Sequence, residues 1–496
     1  MRATYGVPLV LVLCIIQWQV SLAIPRPEFG VNAPVYGSAD VAVTAEEGGL
    51  LIDKVNNDLD ITLSSGYALL TTIKTQLVGI ANDFTTKGLL VSDAMETLAT
   101  SVGPLDGAFA AVQTASTDLI TLMASGLTAY FTELNTKLDN SITDMLTDAF
   151  DDVTADLTKL NSLLATLKAQ LSAAQTAAGW NVLSKAILRK YVSTSLTAAI
   201  AQTIISLKAN IPLVTYIIAN SIENLKDADD YIFASATVVT DALDDVGKGL
   251  EALEAEVQQY SDDASQIKAI IDPVVQINFQ LSHIDPTGIP KIGDEVGEFY
   301  QTYNGDLDTT ITAIKAVYDT YKQAIPPVSD GLGTFISNSA CTHLHRLVQV
   351  LISNGKYADY CFNKYSPRTF ALFDKQAREA NRCVDLEITR LLKLQEFLVA
   401  MAKMLVFNIE DLRENLTICA QSPVQCDTDE MENAFHEVHI AATAHQNSMI
   451  NIVTYETIAS LNRLSACFST SKSILVLDTI AMVTEINECA EDGPLA

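Results

Sequence analysis

The chain has 496 residues, with 60 Asp and Glu against 31 Lys and Arg, and a net charge of −29 at pH 7. A field of that sign repels phosphate backbones and anionic headgroups, so no nucleic acid is expected as a partner. Every cysteine but Cys14 lies between Cys341 and Cys489, which sets a cysteine-free acidic part apart from a cysteine-bearing tail.

Residues 1–23 read as a secretory signal peptide. Arg2 gives the positive start, Val7 to Ile16 the apolar core, and Ser21-Leu22-Ala23 the small residues before cleavage. The core is shorter than the ~20 apolar residues of a span, and Gln17 and Gln19 interrupt it, so no stable membrane anchor is expected. The expected location is secreted and extracellular, where cysteines oxidise. Residues 24–44, with Pro25, Pro27 and Pro34, read as an extended or disordered lead-in.

Residues 45–330 read as a cysteine-free acidic helical bundle, and the expected fold class is all-α. Ala, Leu, Thr, Asp and Lys dominate, with no sustained strand alternation. Gly103-Pro104, Gly179, Pro212, Gly247 with Gly249, Pro273, Pro286 to Pro290, Pro326-Pro327, Pro367 and Pro423 are expected to divide the helices. One apolar stripe runs from Phe131 through Leu134, Leu138, Ile142, Met145, Ala149, Val153, Leu157, Leu160, Leu164 and Leu167 to Leu171. Its mean step, near the ~3.6 of a straight helix, predicts a member of an antiparallel bundle rather than a coiled-coil zipper. Asp139, Asp144, Asp148, Asp151, Asp152 and Asp156 lie mostly off the stripe and predict a solvated face.

From Leu157 to Ile222 there is no acidic residue, only Lys159, Lys168, Lys185, Arg189, Lys190 and Lys208. A cationic amphipathic segment could lie on a membrane. A central helix pair whose lysines answer carboxylates on neighbouring helices is the favoured reading.

Motifs of catalysis are approached and missed. The chain has no G-x-S-x-G elbow. Gly247-Lys248-Gly249 lacks the rest of a phosphate loop, and Gly331-Leu332-Gly333 lacks the strand of a dinucleotide fingerprint, so both read as helix-to-helix turns. His436-Glu437-Val438-His439 resembles a zincin start, but the second histidine stands at i+3, not i+4. Glu432, His436 and His439 could share a face as a weak metal site; surface or network histidines are preferred. His343 and His345, two apart on a predicted helix, point away from each other. No enzyme, cofactor or metal is expected.

Residues 331–496 read as a disulfide-linked helical module with helices over 334–353, 368–420 and 428–489. Folding back at Pro423 makes residues equidistant from it neighbours. The expected pairs are therefore Cys419–Cys426, Cys383–Cys467 and Cys361–Cys489. Cys341 is left over, and a disulfide-linked homodimer through it is favoured over a buried thiol. Asn415-Leu416-Thr417 is a candidate glycosylation site and requires that helix face to meet solvent.

Cys361-Phe362-x-x-Tyr365, followed by Cys383, Cys419, Cys426, Cys467 and Cys489 along helical text, resembles the tsetse EP-type domain. The resemblance covers about residues 341–489. It implies an insect source, a gut or reproductive-tract lumen, a disulfide-linked helical module and no catalytic residues. The Glu-Pro repeats that name the family are absent. The expectation is a secreted, non-enzymatic protein acting through its surface on another protein. The alternatives are a carrier of a lipophilic small molecule, such as a sterol or fatty acid, and, less favoured, a membrane-active helical protein.

Overall fold

The computed structural model describes residues 29–101, 104–180, 183–276, 290–421 and 426–495. The signal peptide 1–23, the Pro286 cluster up to residue 289 and the turn at Pro423 lie outside the described residues. The chain is all-α, 91% helical, without strands among the described residues. Among the described residues the α-helices run in order: α1 (Ser38–Asp53), α2 (Ala68–Thr100), α3 (Leu105–Thr121), α4 (Thr128–Lys137), α5 (Ser141–Ala178), α6 (Lys185–Tyr191), α7 (Thr194–Gln276), α8 (Pro290–Ile352), α9 (Ala358–Gln421) and α10 (Thr428–Asp492).

Two compact units share these helices. The first takes the described residues up to Phe233, with Arg346–Lys364 and the end of the chain from Ile486. The second takes Ala234–His345 and Tyr365–Glu485. Residues 330 and 331 fall inside α8, so no helix ends at that expected boundary.

In the first unit, residues 29–35 are irregular but not loose, with bends over 29–33 and Gly30 at φ +68°. Phe29, Val31, Ala33 and Val35 are buried while Asn32, Pro34 and Tyr36 face water. Gly30 N–H donates to the Ser101 carbonyl at 2.9 Å, and helix begins at Ser38. The described part of the expected lead-in is therefore packed, and residues 38–44 are helical. Burial of its apolar residues outweighed Pro34.

The stripe of α5 is buried at Ile142, Ala149, Val153, Leu157, Leu160, Leu164, Leu167 and Leu171, and Asp144, Asp148, Asp151 and Asp152 are exposed. It does not belong to one straight helix. Leu138 is extended (φ −122°, ψ 177°) and separates α4 from α5, while Leu134 and Leu138 stay buried. Asp139 accepts from the Ser141 N–H at 3.3 Å, a local turn that competes with the helix. Phe131 and Met145 are only half-buried. At Gly179, φ is +57° and the N–H reaches the carbonyls of Gln175 and Thr176, which ends α5 as a residue without Cβ allows.

Two lysines of the acid-free stretch do answer acids. Lys168 meets Asp106 at 2.8 Å and Lys208 meets Glu47. Yet Ile205, Leu213 and Tyr216 on the outer side of α7 are 46%, 44% and 63% exposed, so the stretch is buried on one face only. Helices α7 and α10 are each long and apolar enough to cross a membrane by length and composition.

Several expected breakers do not break. Pro212 lies within α7, Pro326 and Pro327 within α8, and Pro367 within α9. All four are exposed, and the helix continues on both sides of each although a proline removes one intrahelical donor. Pro273 also lies within α7. Gly247 with Gly249, and Gly331 with Gly333, are inside α7 and α8 rather than at turns. A Cβ at Gly249 would stand 2.5 Å from Asn381 Oδ1, so that glycine serves close approach of α7 to α9.

In the second unit the helices α7 to α10 enclose a single apolar cluster that takes Leu253, Tyr303, Ile314, Phe373, Leu398 and Phe468, among others. Within this unit each step along α9 is matched by an opposite step along α10. Lys375 meets Asp478 at 2.8 Å, Cys383 is bridged to Cys467, and Ser460 meets Glu387.

Candidate functional site

One face of α7 presents Asn220, Glu223, Asn224, Asp227 and Tyr231, spaced by three or four residues. The two asparagines finish helix α8. Asn224 Nδ2 donates to the Leu351 carbonyl at 3.0 Å, and Asn220 Nδ2 donates to Asn354 Oδ1 at 2.6 Å. Asn354 itself sits at φ +54°, the left-handed turn that follows a helix end. Tyr231 packs edge-on against Phe362 with centroids 5.1 Å apart. Phe362 is held in place because the neighbouring Cys361 is bridged to Cys489, with Cα atoms 5.8 Å apart.

Between these supports lies a cleft of about 470 Å³, lined by Glu223, Asp227 and Asp230 from α7 and by Asp359 and Asn363 from α9. Burial, then Glu223, Asp230 and Asp359, raise the Asp227 carboxyl above its ordinary value, and only Lys226 opposes them. Negative charge beside the C-terminus of α8 also opposes that helix's dipole. The carboxylates thus sit together at a cost in stability, and what their cleft favours is a cationic group.

Sequence reasoning did not single out these acids, because their sign matches the whole chain. Nor did it separate Asp227 from Asp229, which faces the other way and is 2% exposed. Asp229 accepts from Ser64 N–H at 2.6 Å, Ser64 Oγ at 2.9 Å and Ser65 N–H at 3.0 Å, tying the segment before α2 to α7. Burial pushes this carboxyl up, but the hydrogen bonds together outweigh it and hold the carboxyl below its ordinary value.

The structure also brings together Cys383 with Cys467, Cα atoms 5.9 Å apart, and Cys419 with Cys426, 5.1 Å apart. Cys341 lies on α8, and its side chain is outside the described ones. Asn415 is exposed on α9 while Leu416 beside it is fully buried. His343 is buried against Phe373, centroids 5.4 Å apart, and His345 is only half-buried. His439 stands edge-on to Phe299 with centroids 5.8 Å apart, whereas His436 is exposed. Among the described residues no group of three His, Cys, Asp or Glu is placed to hold a metal ion.

A second feature of the first unit is an apolar cavity of about 30 Å³, lined by Ile52, Phe84, Val91, Met95, Leu160 and Ile211 among others. Compared with family models, curated proteins and solved structures, the chain gives no match.

Proposed function

We propose that this is a secreted, non-enzymatic protein that works by surface binding, its acidic cleft receiving a cationic group of another protein. The observation that carries the reading is the convergence of Glu223, Asp227, Asp230 and Asp359 on one cleft, where the other three acids raise the Asp227 carboxyl against Lys226. The resemblance of Cys361-Phe362-x-x-Tyr365 and the later cysteines to the tsetse EP-type domain supports an insect gut or reproductive-tract lumen as the setting. Phe362, a residue of that motif, forms part of the cleft wall. Three disulfides suit an oxidising compartment. A homodimer linked through Cys341 would present two such clefts.

Calorimetric titration with a tetralysine peptide tests the cleft. Each exposed charge contact is worth about 0.2–1 kcal/mol, so D227N and D359N should each weaken binding by up to about fivefold, and added salt should weaken it further. Equal binding by wild type and the double variant would overturn the assignment.

The alternative is a carrier of a sterol or fatty acid in the helical bundle, favoured by the mainly apolar lining of the cavity among α1, α2, α3, α5 and α7. Its volume of about 30 Å³ speaks against it, since a space of ~10–15 Å³ on this measure holds one water. A lipid would have to part the helices. Displacement of a solvatochromic dye by sterol or fatty acid would reverse the preference.

A further inference from the structure

Helix α9 is apolar on two sides. Its inner side carries Leu391, Leu394, Leu398, Leu405, Ile409 and Leu416 into the core of the second unit. Its outer side exposes Phe397, Met404, Phe407 and Ile418 at 50%, 55%, 63% and 59%. An outer row of this kind, on a chain that must stay dissolved, invites self-association unless something covers it.

The sequence supplies a cover on the same row. Asn415 is 18 residues from Phe397, five turns of ~3.6, and 11 from Met404, about three turns, so the three side chains leave α9 in nearly the same direction. At ~1.5 Å per residue, Asn415 is about 12 Å along the axis from Phe407 and about 16 Å from Met404. Asn415 and Thr417 are exposed while Leu416 between them is buried, which turns both polar residues of the N-x-T sequon outward.

We infer that Asn415 carries an N-linked glycan whose role is to cover the Phe397–Met404–Phe407 row and keep the protein from associating through it. The inference rests on the secretory reading above. The donor is a polyprenyl-diphosphate-linked oligosaccharide. The Asn415 amide nitrogen bonds to the anomeric carbon as that carbon's bond to the diphosphate oxygen breaks. The nitrogen gives up a proton, and the diphosphate leaves with the electron pair. Because the sequon lies inside a helix, transfer precedes folding, and closure of α9 then carries the sugar to the outer side. The attached sugar is bulky and hydrated, which is what a neighbouring apolar row requires of its cover.

The test uses the full chain expressed in a secreting eukaryotic cell line, with C341S in every sample so that intermolecular disulfides contribute nothing. Wild-type sequence at 415 should lose mass on treatment with peptide N-glycosidase, and N415Q and T417A should each be secreted at the lower mass. Sedimentation should give one copy for the glycosylated protein, and concentration-dependent dimers or larger species for both variants and for the enzymatically stripped protein. Adding M404S and F407S to N415Q should return it to one copy, with circular dichroism confirming an unchanged helical spectrum. A secreted protein with no mass loss overturns the modification. A mass loss with identical sedimentation before and after stripping overturns its covering role. Retention of the chain inside the cell would instead remove the secretory reading on which the inference stands.

Discussion

Glu387 joins three helices of the second unit, although it is 2% exposed and charged. It accepts from Arg463 Nη2 at 2.9 Å and Nε at 3.1 Å, from Arg390, and from Ser460 Oγ at 2.7 Å. Since the Ser460 proton is spent there, Tyr321 is the donor in the 2.8 Å bond between their oxygens. Arg463 Nη2 also donates to Glu456 at 2.7 Å. Burial alone would raise the Glu387 carboxyl, but bonds from Arg463 and Ser460 and the arginine charge together hold it below its ordinary value. A carboxyl depressed in the folded state adds stability that is complete above its unfolded pKa of ~4.3 and is lost as pH falls through its folded value. E387Q should therefore cost about 3 kcal/mol at neutral pH, the low end for breaking a buried pair, because Arg463 keeps Glu456. The cost should shrink as the pH is taken below about 4, which urea unfolding at both pH values would measure. A loss independent of pH would mean that shape, not charge, makes Glu387 matter.

At the scale of elements, the α5 stripe marks how far a period can be read. Leu164 is 4% exposed and Asp148 faces water, as a step of ~3.6 requires. L164A should destabilise by about 2–5 kcal/mol and D148A by no more than about 0.5 kcal/mol, measured by denaturant midpoints. Equal losses would show that the period marks the wrong face. Helix content, the stripe and the helices of the tail are local properties, and the sequence shows them. What it hides is settled by contact between distant segments. Pro212, Pro326, Pro327 and Pro367 read as stops because a proline removes one bond and clashes locally, at a cost of ~3 kcal/mol in a helix interior. Packing along the long flanking runs outweighs that cost, and no local pattern reports how much core a helix will meet. Gly249 was mistaken for the same reason, since only the position of Asn381 shows that it serves packing. The acidic cleft was hidden differently: in a chain of net charge −29, four more carboxylates make no signal until folding brings Asp359 beside Asp227.

For the molecule as a whole, the three bridges differ in how much chain each one closes. Cys361–Cys489 spans 128 residues, Cys383–Cys467 spans 84 and Cys419–Cys426 spans 7. If a bridge acts by removing freedom from the unfolded chain, its contribution grows with the logarithm of the loop, giving about 5, 4.6 and 2.5 kcal/mol in that order. The first bridge belongs to the first unit and the other two to the second, although the helices that bear them continue through both. Replacing both cysteines of one bridge by serine should therefore reduce hydrogen-exchange protection first in the unit that holds it. The 361–489 variant should loosen α7 around Asn220–Tyr231 and weaken tetralysine binding, because Phe362 loses its tether. The 383–467 variant should loosen the surroundings of Glu387 and leave the cleft's binding within about twofold of wild type, as separate sites tend to behave. The 419–426 variant should do least. Exchange mapped by mass spectrometry on the three variants reads all of this at once. A uniform loss of protection from any single bridge would mean that the two units open as one and that the chain, despite its two compact parts, unfolds in a single step.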